Sequence, residues 1–163
     1  MYALKALLFA LIPAAQAFSG LGQIRTLYIG RDHDDLGCLT SQGKWTTDEA
    51  LCGTFYAYRL STNAKGMSTF RLAGVDVGIC GIAPAGVFKC GGVKDVDFGT
   101  WGNEGPVKHR DVLRYGQYGV VASYGNNPPA PEEGPLQVHF YSGAEKGKYV
   151  WLVWKSLEEG ADA

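Results

Sequence analysis

Glycine occurs 23 times in the 163 residues of this chain, and Phe, Trp and Tyr together make up 12 % of it. An interior glycine weakens a helix by roughly 1 kcal/mol relative to alanine. Short strands joined by tight turns use glycine at the turns and aromatic residues on the pleated faces. The joint bias therefore points to an all-β chain. Strand-like segments run over residues 23–29, 36–39, 54–60, 68–72, 87–90, 120–124, 136–141 and 149–154, most of them flanked by Gly, Pro, Asn or Lys-Gly turn signals. In 136–141 the apolar Leu136, Val138 and Phe140 share one face, and 149–154 is apolar on both faces, the pattern of a strand in the middle of a fold. Arg31-Asp32-His33-Asp34-Asp35 reads as a polar turn between the first strand and its returning arm. The segment 126–135 carries four prolines, which remove donors and fix φ, so it reads as a solvated loop. Helical pattern is confined to a weak stretch at 47–51, and no internal repeat is evident. These features predict one domain, a sandwich or single small barrel.

The first seventeen residues read differently. Lys5 precedes an apolar run over 6–15 that closes on Ala15-Gln16-Ala17, the charge, hydrophobic core and small-x-small order of a secretory signal peptide. The expected division is a signal over 1–17 and a β domain over 18–163, exported to the extracellular space or to a vacuole. The apolar run has about half of the roughly 20 residues a membrane span needs, so no membrane attachment is expected. Loss of Lys5 with the signal takes the net charge from −1 to −2. That balance disfavours general RNA binding, which draws on a basic surface that releases counterions.

In an exported chain the four cysteines are candidates for disulfides. Cys38, Cys52, Cys80 and Cys90 allow three complete pairings. Loop length favours Cys38–Cys52 and Cys80–Cys90, each worth roughly 2.5–3 kcal/mol by chain entropy. Zinc fits less well, because no pair has the close spacing of a structural site. No metal or cofactor is expected.

The sequence around the cysteines carries a resemblance. Gly37-Cys38-Leu39-Thr40-Ser41-Gln42-Gly43-Lys44-Trp45, Leu51-Cys52-Gly53-Thr54-Phe55, Ile79-Cys80-Gly81-Ile82 and Val87-Phe88-Lys89-Cys90-Gly91 resemble the C-terminal extension domain of fungal ribonucleases of the T-2 family. In that family the extension follows a catalytic domain whose histidines lie in His-x-Leu-Trp-Pro and His-Glu-x-x-Lys-His-Gly motifs. This chain has neither motif, and its three histidines, His33, His109 and His139, stand in other surroundings. The resemblance implies an exported extension-type domain standing alone, with no catalytic residue carried over.

Asp32-His33-Asp34-Asp35 has oxygen and nitrogen donors for a cation, but a solvated turn uses the same residues. His109, with Lys108, Arg110 and Asp111, has the groups for acid–base work at a phosphodiester. The same run also reads as a charged turn, and no second histidine lies nearby in sequence. Trp101, Tyr115 and Tyr118, with His109 and Arg110, form the candidate ligand surface, since rings on a rigid β scaffold stack on sugars or bases. Core packing is the competing reading for every aromatic residue, most of all for Trp151 and Trp154. The function expected is that of a secreted, non-catalytic binding or interaction module, a fungal effector or wall-associated protein. Its expected partner is a cell-wall glycan or a host protein, ahead of RNA. A ribonuclease-related RNA-binding or RNA-cleaving protein and a purely structural secreted protein are the alternatives.

Overall fold

The computed structural model of the protein describes residues 18–28, 31–101, 111–116, 121–123, 134–140 and 149–158. The expected signal over 1–17 and nearly all of the proline-rich segment lie outside the described residues. Among the described residues twelve strands follow one another: β1 Gly20–Tyr28, β2 Arg31–Leu39, β3 Lys44–Thr46, β4 Phe55–Thr62, β5 Ser68–Gly74, β6 Gly78–Ala83, β7 Val87–Cys90, β8 Phe98–Thr100, β9 Leu113–Arg114, β10 Val121–Ser123, β11 Leu136–Phe140 and β12 Tyr149–Ser156. Helical geometry among the described residues is limited to single 3-10 turns at Glu49–Leu51 and Pro84–Gly86. The first of these falls in the weakly helical stretch. Asp48 caps it by accepting a hydrogen bond from the Ala50 amide at 3.0 Å.

The ladders are antiparallel and close on themselves. One closed circuit is an eight-stranded barrel that runs β1-β4-β5-β6-β7-β11-β3-β2 and back to β1. A second circuit of six strands runs β1-β4-β5-β8-β9-β12 and back to β1, its β9–β12 join made by a bridge between Val112 and Val153. The pairing thus uses a four-strand unit three times. The outer strands of each unit (β1 and β4, β5 and β8, β9 and β12) enter the six-stranded ring, and the inner two form the hairpins β2–β3, β6–β7 and β10–β11. This is the plan of a β-trefoil, although the amino-acid sequence shows no repeat.

Alternation explains which residues fill the interior. Phe55 and Ala57 of β4, Phe70 and Leu72 of β5, Ile24 of β1, and Leu152 and Trp154 of β12 point inward and are buried. Phe18 plugs this core, its ring stacked on Phe70 at 4.7 Å and tilted against Trp154 at 5.1 Å. The hairpins add Leu39, Trp45, Phe88, Val138 and Phe140. The buried Trp45 donates its indole N–H to the Leu36 carbonyl at 2.9 Å. A smaller cluster of Leu27, Val112, Trp151 and Val153 lies against Trp101.

The expected disulfides are both formed, Cys38–Cys52 and Cys80–Cys90, the second between directly paired residues of β6 and β7. Trp151 and Trp154 are buried, as the doubly apolar strand predicts. One expectation requires correction. The polar run 31–35 belongs to β2, with Asp35 paired to Leu27 and Arg31 to Tyr28 and the residues between them bulged out of register. The strands β3, β6, β8 and β9 carry little pattern of their own and owe their conformation to partners distant in sequence.

Thr26 sits inside the barrel opposite Leu152, fully buried, and its hydroxyl has no hydrogen-bond partner among the described residues. A buried hydroxyl left in that state opposes folding by about 1–3 kcal/mol. Thr26→Val keeps the shape and removes the hydroxyl, so it should raise the unfolding free energy by about 1 kcal/mol, read as a higher urea midpoint at unchanged slope. An unchanged or lower midpoint would contradict this account of the core.

Candidate functional site

The outward residues of the barrel wall differ from the inward ones in one place above all. On β4, Tyr56, Tyr58 and Leu60 are 47 %, 59 % and 43 % exposed, while Phe55 and Ala57, on either side of Tyr56, are buried. Tyr56 pairs laterally with Leu21 of β1 and with Ala73 of β5, which in turn pairs with Ile79 of β6. Residues opposite each other in antiparallel strands share a face. Leu21, Tyr56, Ala73 and Ile79 therefore form one outward row across four strands. In the adjacent row Tyr58 stands directly opposite Arg71.

Arg71 is fixed from the side. Its Nε donates to Asp97 at 3.0 Å and a terminal nitrogen reaches Asp95 at 2.8 Å, an arrangement that raises its pKa and keeps it cationic. The two carboxylates come from the segment between β7 and β8, which crosses β6 at Gly81. A Cβ added at Gly81 would lie 2.2 Å from the Lys94 carbonyl oxygen, so only glycine admits so close a crossing. The result is a half-exposed guanidinium with fixed carboxylates beside an exposed phenol ring.

A second opening lies where β3, β11 and β7 meet. It is a cleft of about 420 Å³ lined in part by Gln42, Lys44, Val87, Lys89 and Gln137. Lys44 and Gln137 are directly paired across β3 and β11, while His139 of β11 pairs with Val87 of β7. His139 itself is buried, with Nδ1 3.2 Å from the Ala85 carbonyl oxygen.

Three charged groups are tied to structure instead. Arg25 is buried and its guanidinium fork meets Asp35 at 2.9 and 3.1 Å and Glu49 at 2.9 Å, with Cys52 Sγ 3.3 Å away. This pairing holds the Glu49 carboxyl below the usual carboxylate range. The last acid of the 32–35 run, Asp35, is thereby committed to Arg25 and also accepts from the Gly37 amide at 2.9 Å. Among the described residues no group of three potential metal ligands comes together, and no helix is long and apolar enough to cross a membrane.

The candidate surface inferred from sequence is only partly described. His109, Arg110 and Tyr118 lie outside the described residues, as do His33's side chain and Lys108. Trp101 is half-buried against Leu27, Val112, Trp151 and Val153, with the Arg114 guanidinium 5.6 Å from its ring centroid. Tyr115 is likewise half-buried, 6.0 Å from Phe98 and 6.2 Å from Phe140. Asp111, read from sequence as part of a charged turn, is 5 % exposed. Sequence reasoning passed over Tyr56 and Tyr58, whose only signal is their place between the apolar Phe55, Ala57 and Leu60. It also passed over the Lys44 and Lys89 cleft.

Comparison with known proteins found no matching family model, no similar curated protein and no similar solved structure.

Burial pushes the Asp111 carboxyl up to about 6, a shift that the charge of Arg59 opposes. In the unfolded chain the group titrates near 4. The fold thus favours the protonated acid, and its contribution to stability is complete below about pH 4 and is lost as pH rises through about 6. Asp111→Asn mimics the neutral acid at every pH, so the melting temperature of the variant minus that of the parent should increase between about pH 4 and pH 7. A difference that stays flat over this range would show that the carboxyl ionises freely in the folded protein.

Proposed function

We propose that this chain is an exported, non-catalytic binding module that holds a glycan on the outward face of β4 and β5. The observation that carries the reading is Tyr58, 59 % exposed on a ladder-bound strand and set beside an arginine that two carboxylates hold in place. Sugar rings offer a C–H face and a rim of hydroxyls. A phenol ring stacks on the first, and fixed guanidinium and carboxylate groups bond the second. Tyr56 lies two residues along the same strand face, about 7 Å away, which extends the platform beyond one ring. Such a face needs no rearrangement on binding, because both strands are locked in the barrel wall.

Export is supported by the leader-like sequence of residues 1–17 and by the two disulfides, which persist in oxidising compartments. The fungal, wall-associated setting is proposed on the sequence resemblance to the extension domain of fungal T-2 ribonucleases alone. The burial of His139 supports a non-catalytic reading, since a phosphodiester would not reach its ring from solvent.

Titration calorimetry of the domain beginning at Phe18 with cellohexaose, chitohexaose and laminarihexaose tests the proposal. At least one should bind, Tyr58→Ala and Arg71→Ala should each weaken it by about tenfold, and both variants should stay within about 1 kcal/mol of the parent in stability. Failure of all three sugars to bind, or binding indifferent to both substitutions, would overturn the assignment of this face.

The same protein should not turn over RNA between about pH 4 and 8, a range that spans histidine titration. RNA turnover abolished by His33→Ala, His109→Ala or His139→Ala would replace the binding module with a nuclease.

A further inference from the structure

We infer that the cleft between β3, β11 and β7 is a second, separate site, built for a carboxylate-bearing sugar such as a uronate. Lys44 and Lys89 approach it from the two flanking strands, and Gln137 stands on the central strand beside Lys44. Neither lysine side chain has a carboxylate partner among the described residues, and no Asp or Glu lines the cleft. Two ammonium groups left without counter-charge around one concavity create a local positive potential in a chain that is slightly acidic overall.

The remaining lining narrows the ligand class. Gln42 and Gln137 present carboxamides, which both donate and accept, as sugar hydroxyls require. Val77 and Val87 supply an aliphatic wall for the C–H side of a pyranose ring. The volume of about 420 Å³ lies within the range for small-ligand sites and suits one or two sugar units. A bare inorganic anion would use the lysines and leave the amides and the valine wall without a partner. An acidic sugar uses all three.

The cleft shares no lining residue with Tyr56, Tyr58 or Arg71, and the Tyr58→Ala variant takes that face out of the measurement. Titration calorimetry of the Tyr58→Ala variant of the same domain with trigalacturonate, with neutral maltotriose and with inorganic phosphate separates the possibilities. Trigalacturonate should bind, maltotriose at least about tenfold more weakly, and affinity should fall with added salt. Lys44→Gln and Lys89→Gln, each added to Tyr58→Ala, should reduce trigalacturonate affinity by about tenfold, while Lys44→Arg retains most of it. Lys44→Arg also guards against a loss caused by misfolding, since it keeps the charge and the stem. No binding of trigalacturonate, equal binding of maltotriose, displacement by equimolar phosphate, or indifference to both lysine substitutions would each overturn the proposal.

Discussion

One run of touching rings holds the three units of this protein together. Phe18 stacks on Phe70 of the second unit and leans on Trp154 of the third. Phe70 then meets Phe98, and Phe98 meets Phe88, Tyr115 and Phe140. Each ring buries a large apolar area and adds a geometric preference for stacked or tilted neighbours. Because the rings come from β5, β7, β8 and β11 as well as from Phe18 and β12, no unit can pack its inner face without the other two. The outer features depend on this. The ladder that carries Tyr56 and Tyr58 is fixed because Phe55 and Ala57, on its other side, are buried in the ring-filled interior.

How much of this was legible in the sequence depended on whether the signal was local. The all-β class, the two short disulfide loops and the burial of Trp151 and Trp154 could be read, since glycine spacing, cysteine spacing and a doubly apolar run are properties of neighbouring residues. The strands β3, β8 and β9 could not, because three or two residues contain no period, and their conformation is imposed by partners such as Leu136 opposite Trp45 and Phe70 opposite Phe98. Asp111 looked solvated because charged residues surround it in the chain, yet the bridge of its neighbour Val112 to Val153 draws it under the surface. Tyr56 and Tyr58 were hidden for a related reason. Residues 55–60 are apolar or aromatic on both faces apart from Arg59, so alternation gave no hint of which face meets solvent. Lys44 and Lys89 belong to different units, and only β11, pairing with both β3 and β7, brings their strands to one cleft.

Charge is used in two distinct ways. On the side of β1, Arg25 is saturated by Asp35 and Glu49 and buttresses the Cys38–Cys52 loop, so its charge is spent within the structure. Arg71 is also paired, but half of its side chain remains accessible beside Tyr58. A paired arginine that is still exposed keeps its orientation without losing its unused donors, a pre-organised state that lowers the cost of binding. Lys44 and Lys89, without carboxylate partners among the described residues, contribute field more than fixed geometry. The two surfaces are therefore suited to different kinds of recognition, one by shape and fixed hydrogen bonds, the other by potential.

The longest unbroken ladder among the described residues joins β1 to β12. Seven consecutive residues of β1, Gly22 through Tyr28, pair with β12 from Ser156 back to Val150. During synthesis β1 therefore emerges long before its main partner exists, and the six-stranded ring has no means of closing until β12 is free. Contacts of such sequence separation slow folding. The disulfides do not wait for β12, since their partners lie only 14 and 10 residues apart and meet as soon as each short loop has emerged, the oxidation itself then taking seconds to hours. An oxidising compartment can thus staple two loops in a chain whose barrel is still open.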